Sequence, residues 1–326
     1  MMPVVVPTIE KCPSEYDQYE CKLVANILQL AKEQLNESDQ IRDPSLAQLR
    51  EFIAKHPQIK TCRTDAIFLL RFLRSTKFNV TAACEQLERY LITRDTMPDH
   101  FKRMDPSESQ LSQALKEAIM VPLGLDGESR HVFIVRYGTI NPRQFSSQLI
   151  TLLIALVFEI YLDDELFQVA GAVFILDFVS TSLEHLSMIS LDELKILMTV
   201  VNDVLSSRLN EIHVVQLPRG AAMITNYCLA GLPKLKERIK FHKSADELKG
   251  VIDESILPTI YGGKQSIEEA NERFRARAFQ ERERLLRQCE MHIDLSIPAP
   301  NTKHNNQDNG VADECIIGSF RQLNVD

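Results

Sequence analysis

The sequence predicts an α/β fold: an all-helical N-terminal subdomain followed by a mostly parallel sheet covered by helices. Two observations and one rule of sheet topology predict it. Across residues 15–105 the apolar side chains recur at helical spacing. Beyond about residue 118, short β-branched runs alternate with helical stretches. Strands separated by helices need crossover connections, and crossovers make neighbouring strands parallel.

The elements follow in order. Residues 15–36 place Leu23, Ile27, Leu30 and Ala31 on one helical face. Asp43-Pro44-Ser45 supplies the start of a second helix carrying Leu46, Leu49, Phe52 and Ile53, which stops near His56-Pro57. A third runs over residues 64–75 and is broken by Lys77-Phe78-Asn79-Val80. A fourth, residues 81–94, aligns Ala83, Leu87, Tyr90 and Leu91. Gly124-Leu125-Asp126-Gly127 reads as a turn. Strands are then expected at 131–137, 171–178 and 212–217, with helices at 145–163, 192–205 and 219–229. Residues 268–289 form a strongly charged helix, and 298–310 are polar and rich in Pro and Asn, as a linker is. The chain thus divides into a disordered leader (1–14), a helical domain (15–118), an α/β domain with its trailing helix (119–290) and a linker with a tail (291–326).

Composition narrows the function. A net charge of -8 disfavours nonspecific nucleic-acid binding. The 7 cysteines are odd in number, widely spaced and free of C-x-x-C, which argues for a reducing compartment without disulfides or structural zinc. MMPVVVPTIEK has neither a basic leader nor a sustained apolar stretch, so no secretory signal is expected. The longest apolar run, residues 149–162, falls short of the roughly 20 residues of a membrane span.

Catalytic templates fail. No G-x-G-x-x-G follows a strand, and no phosphate-loop lysine, G-x-S-x-G or H-E-x-x-H occurs. The 8 histidines lack metal-ligand spacing, and Asp163-Asp164-Glu165 reads as a solvated turn rather than a cation site. No catalytic residue, metal or cofactor is expected.

Strand parity marks one apolar face. Arg136 places Phe133 and Val135 inward, Asp177 places Ala172, Phe174 and Leu176 together, and His213 places Ile212 and Val214 opposite to itself. The helices add Thr151, Ile154, Phe158 and Leu162, then Ile189, Leu197, Val200 and Val201. Periodicity alone leaves a packed core and a ligand cavity both open. The segment Lys234-Leu235-Lys236-Glu237-Arg238-Ile239-Lys240 has a cation at every second position, a pattern that lines one face only if the segment is extended.

These residues match a family. DAIFLLRFLRSTKFNVTAACEQLERYL resembles the helical signature of CRAL-TRIO proteins, and AVFILDF, RLNEIHVVQLP, KLKERIKFH and LPTIYGG follow in that family's order, over residues 15–277. The branch it resembles most is that of the animal α-tocopherol-transfer and retinaldehyde-binding proteins, with a tail like those of insect-type members. The resemblance implies a five-stranded sheet flooring a lipid pocket, which makes the apolar face above a cavity wall. It implies a helical lid, here Ala221, Ile224, Leu229 and Leu232, and a phosphoinositide-binding patch at Arg208, Lys234, Lys236 and Arg238. Asn210 stands where that patch has an arginine, and Glu211 follows it. The implied protein is a monomeric cytoplasmic carrier of one tocopherol-like, retinoid or other lipid ligand that visits membranes. The alternative is a phosphoinositide-binding adaptor in membrane trafficking.

Overall fold

A computed structural model of the chain describes residues 6–188, 190–200, 208–221 and 233–298. Six helices come first: α1 (Ala25–Leu35), α2 (Asp39–Lys55), α3 (Ala66–Ser75), α4 (Val80–Thr96), α5 (Pro98–Phe101) and α6 (Ser109–Lys116). A short strand, β1 (Ile59–Thr61), lies between α2 and α3. The α3–α4 corner shows why the chain turns there. The Asp65 carboxylate caps α3 by accepting from Phe68 N at 3.2 Å. Lys77 and Phe78 adopt left-handed φ of 53° and 60°, and Asn79 then caps α4, accepting from Ala82 N at 3.1 Å.

Two helices differ from expectation. The second begins at Asp39, with Pro44 inside it. Proline removes one backbone donor there; Arg42, paired to Asp39 at 2.6 Å and Glu37 at 2.8 Å, holds the turn in its place. The first helix starts only at Ala25, and residues 15–24 run without helix. Asp17 accepts from Ala66 N at 3.0 Å, and the Tyr16 and Tyr19 rings lie 4.7 and 4.8 Å from the guanidinium carbons of Arg50 and Arg42. These contacts to groups on other helices hold the segment along the domain surface. Residues 9–11, which the sequence reading sets outside the folded region, pair with β1: Cys62 N donates to Ile9 O at 2.8 Å and Glu10 bridges Thr61.

The sheet has order β2-β3-β4-β5-β6. Its members are β2 (Met120–Leu125), β3 (His131–Arg136), β4 (Ala172–Asp177), β5 (Leu209–Val215) and β6 (Ile239–His242). Strand β2 is antiparallel to β3, and the other pairings are parallel. Neither edge strand stood out in the sequence. Strand β2 contains a proline and a glycine with φ of 131°. The basic segment divides between a 3-10 turn, Pro233–Arg238, and β6. Helices α7 (Ser147–Tyr161), α8 (Glu165–Ala170), α9 (Leu183–Ser187) and α10 (Leu191–Thr199) join the strands.

Register aligns two rows across the sheet. Phe133 faces Phe174, Ile212 and Ile239 in turn, and Val135 faces Leu176, Val214 and Phe241. Both rows lie on one face, as strand parity predicted. The opposite face packs Val132, Ile134, Val173, Ile175 and Val215 against Leu248, Ile252, Leu257 and Tyr261. A sheet covered on both sides explains the near-continuous apolar strands.

Two trailing helices, α11 (Ile267–Gln280) and α12 (Arg282–Cys289), replace the single charged helix expected. They lead to β7 (His292–Ile293), which pairs antiparallel with β1. The chain therefore returns to its own N-terminal helices. The LPTIYGG segment now has a physical role. Tyr261 OH donates to the buried Asp177 carboxylate on the same face of the sheet that Tyr261 covers. Gly262 ends the turn with φ of 82°, and a Cβ on Gly263 would lie 1.9 Å from Leu257 O.

Candidate functional site

The apolar face of the sheet is the candidate site. Phe133, Val135, Thr151, Phe158, Ala172, Phe174, Val200 and Val214 are buried. The rings of Phe133 and Phe174 stack at 5.1 Å, and Phe158 reaches Phe174 at 5.7 Å. Aromatic packing thus seals the β3–β4 part of the sheet against α7. Ile154, Leu176, Leu197 and Ile212 are only half-buried. Ile189 and Val201 lie outside the described residues.

The structure adds Met188, Ile196 and Leu209, partly buried side chains packed on the same cluster as Ile154, Leu176 and Ile212. Leu209 escaped notice because strict alternation fails at the start of β5. The register shifts between Ala172 and Val173, and Asn210 Oδ1 accepts from Ala172 N at 3.1 Å. An interior packed solid buries its aliphatic groups completely. Here a set of aliphatic side chains on the helix-covered face keeps accessible surface. That face keeps accessible apolar area beside α7 and α10.

Of the expected lid, Ala221 is buried in a 3-10 turn, Arg219–Ala221. A Cβ on the preceding Gly220 would meet Leu186 at 3.5 Å, so α9 supports this corner. Ile224, Leu229 and Leu232 lie outside the described residues.

The basic positions converge in part. Arg208 and Arg238 are close enough to repel; burial first, then Arg238, lowers the pKa of Arg208. Arg208 donates to Val169 O at 3.3 Å and to Gln34, and Arg238 donates to Leu209 O. Lys236 is exposed. The backbone of Lys234 lies in the Pro233–Arg238 turn, and its side chain is outside the described set. Glu211 is engaged by Arg130 at 3.0 Å and by Lys240, which leaves Arg208 and Arg238 without that carboxylate as a partner.

The acidic triplet is a correction. Asp163-Asp164-Glu165 is not a solvated turn. Asp163 accepts from Arg63 at 2.8 Å and Arg71 at 2.9 Å and pairs with Arg284 at 2.8 Å. Burial would raise its pKa, but Arg63 and then Arg71 outweigh burial and hold it far below the ordinary carboxylate range. Asp164 caps α8, accepting from Leu166 N at 3.0 Å, and Glu165 pairs with Arg74 at 3.0 Å. On α7 itself, the wholly buried Glu159 accepts from Arg71 at 2.9 Å and from Arg94 and Tyr90 at 2.8 Å each. Arg71 of the FLLRFLR run therefore fastens α3 to the end of α7, and Arg74 fastens it to α8. The signal in the sequence was two arginines on the apolar helix α3, a placement that requires buried acids as partners.

The chain is similar to several known proteins. The model of the CRAL/TRIO domain matches residues 115–263. The human alpha-tocopherol transfer protein-like protein is 30% identical over 258 residues, covering 77% of this chain and 74% of that protein. Mouse clavesin-2 is 27% identical over 239 residues, covering 72% of this chain and 73% of clavesin-2. The crystal structure of Sfh5 aligns with a TM-score of 0.46 and 12% identity over 77% of this chain and 93% of Sfh5.

Proposed function

This chain belongs to the CRAL/TRIO family, and on that premise we propose that it encloses one hydrophobic small molecule against the Phe133–Leu176–Ile212 face and carries it between membranes. The observation that carries the reading is the set of half-buried aliphatic residues, Ile154, Leu176, Ile196, Leu209 and Ile212, on an interior face. Burying a long apolar ligand there contributes about 25 cal/mol per Å² of apolar area, before the costs of association. Tocopherol-like and retinoid ligands fit the requirement for an elongated, largely apolar molecule. The lid segment around Ala221, Ile224, Leu229 and Leu232 would open for exchange. No residue is assigned a catalytic role, and the carrier works as a cytoplasmic monomer at membrane surfaces.

Arg208 and Arg238, which repel each other, favour an anionic headgroup as the trigger of exchange, with Lys234 and Lys236 beside them. A phosphoinositide-sensing adaptor uses the same cations, and the tail would recruit its partner. The deciding experiment is native mass spectrometry of the protein purified from its source, with lipid analysis of an organic extract. One stoichiometric isoprenoid or retinoid supports a dedicated carrier. An empty protein that binds phosphoinositide vesicles replaces the carrier with the adaptor.

A further inference from the structure

We propose, building on the carrier reading for its purpose, that the edge strand β6 lies against the surface of an anionic membrane and that the Phe241 ring inserts at the headgroup boundary. Strand β6 ends the sheet, so its outer edge has no partner strand among the described residues. Exposed edges are usually blunted by charge. This one carries Lys240 but also a phenyl group that is 54% exposed.

Phe241 is not an isolated surface aromatic. It stands opposite Val214 in the row that continues through Leu176 to Val135, and its neighbour Ile239 stands opposite Ile212. The apolar face of the candidate site thus runs across the sheet without interruption and reaches water at Phe241. The alternate residues turn to the other face, where Lys240 pairs with Glu211 and His242 meets His213 at 2.9 Å.

Charge selects the occupant. Residues 234–243 contain Lys234, Lys236, Arg238, Lys240 and Lys243 against the single acid Glu237, within a chain of net charge -8. Lys236, Arg238 and Lys243 are exposed. A phenyl ring among long cationic side chains suits the boundary of an anionic bilayer: the ring enters the upper acyl region and the ammonium groups meet phosphates. A second copy paired along the same edge would set lysine-rich strands side by side, which like charge disfavours.

The chain contains no tryptophan, so F241W in the full chain introduces a sole reporter. With vesicles of phosphatidylcholine and phosphatidylserine, its emission is expected to shift to the blue and to be quenched by lipids brominated near the headgroup end of the chains. The same substitution at Phe279, 42% exposed on α11, is expected to stay silent. F241A should lower vesicle partitioning about tenfold, and high salt should weaken binding of the wild-type chain. A silent F241W overturns the proposal. So do equal responses from F241W and F279W, and a concentration-dependent shift of F241W without vesicles, which would mean self-association. Native mass spectrometry of the same variants separates the two readings. Retained ligand with a silent F241W removes the membrane strand and leaves the carrier; a responsive F241W on a chain that holds no ligand does the reverse.

Discussion

Replacing Glu159 by glutamine removes one negative charge from a place that water does not reach. Its donors arrive from three elements: Arg71 from α3, Arg94 and Tyr90 from α4, and Gln288 from α12. The consequences for the two arginines differ. Arg71 keeps Asp163 as a counter-ion at 2.9 Å. Among the described residues Arg94 keeps only neutral hydrogen-bond partners, the Tyr90 hydroxyl at 3.2 Å and the carbonyls of Phe101 and Gln288 at 3.5 and 3.1 Å. Orphaning a buried charge costs about 3–5 kcal/mol. Because glutamine preserves shape and one acceptor, E159Q belongs near the lower end, about 3 kcal/mol, and E159A at or beyond the upper end. Equilibrium urea unfolding reads this directly: with a slope of about 3 kcal/mol/M, the E159Q midpoint falls by about 1 M. Adding Arg94→Gln should cost little more, because the orphaned charge is then gone. A loss below about 0.5 kcal/mol for E159Q, or strict additivity with Arg94→Gln, would refute the reasoning.

Filling the site should separate binding from folding: Ile212→Trp is expected to lose most copurified ligand, seen by native mass spectrometry, while stability falls by no more than about 1–3 kcal/mol. Gly263→Ala forces a Cβ to within 1.9 Å of Leu257 O and should cost about 1–3 kcal/mol in urea unfolding, whereas Gly127→Ala, with nothing within 4 Å, should be neutral. The buried His213 ring is held at a pKa of about 4 by burial and then by His242, with Glu211 at 3.3 Å and Lys240 also facing it. The unfolded chain protonates first, so the contribution is complete above about 6.5 and is lost as pH falls toward 4, by up to about 3 kcal/mol. Melting curves between pH 7.5 and 5 should show a slope that His213→Asn flattens.

The residues themselves determined the order of elements and the face each strand buries. A period of two is a property of extended backbone, so one charged residue per strand sufficed: Arg136, Asp177 and His213 fixed the parity that the register later aligned across β3, β4 and β5. The turn at Gly262 was equally local, because its φ of 82° is one that glycine tolerates. The family resemblance carried the five-stranded sheet, which local pattern alone did not reveal.

Only the tertiary structure decided the rest, and in each case the cause is a partner distant in sequence. Residues 15–24 read as the start of a helix running to residue 36, yet Asp17 and Tyr19 are taken by groups on α3 and α2. Asp163-Asp164-Glu165 reads as solvated acid until Arg63, Arg71, Arg74 and Arg284 arrive from segments distant in sequence. Strand β6 reads as a basic surface segment until its pairing with β5 turns Phe241 onto the apolar face. Local sequence determines which way a side chain points; the fold determines whether it meets solvent, an opposite charge or the apolar face of the candidate site.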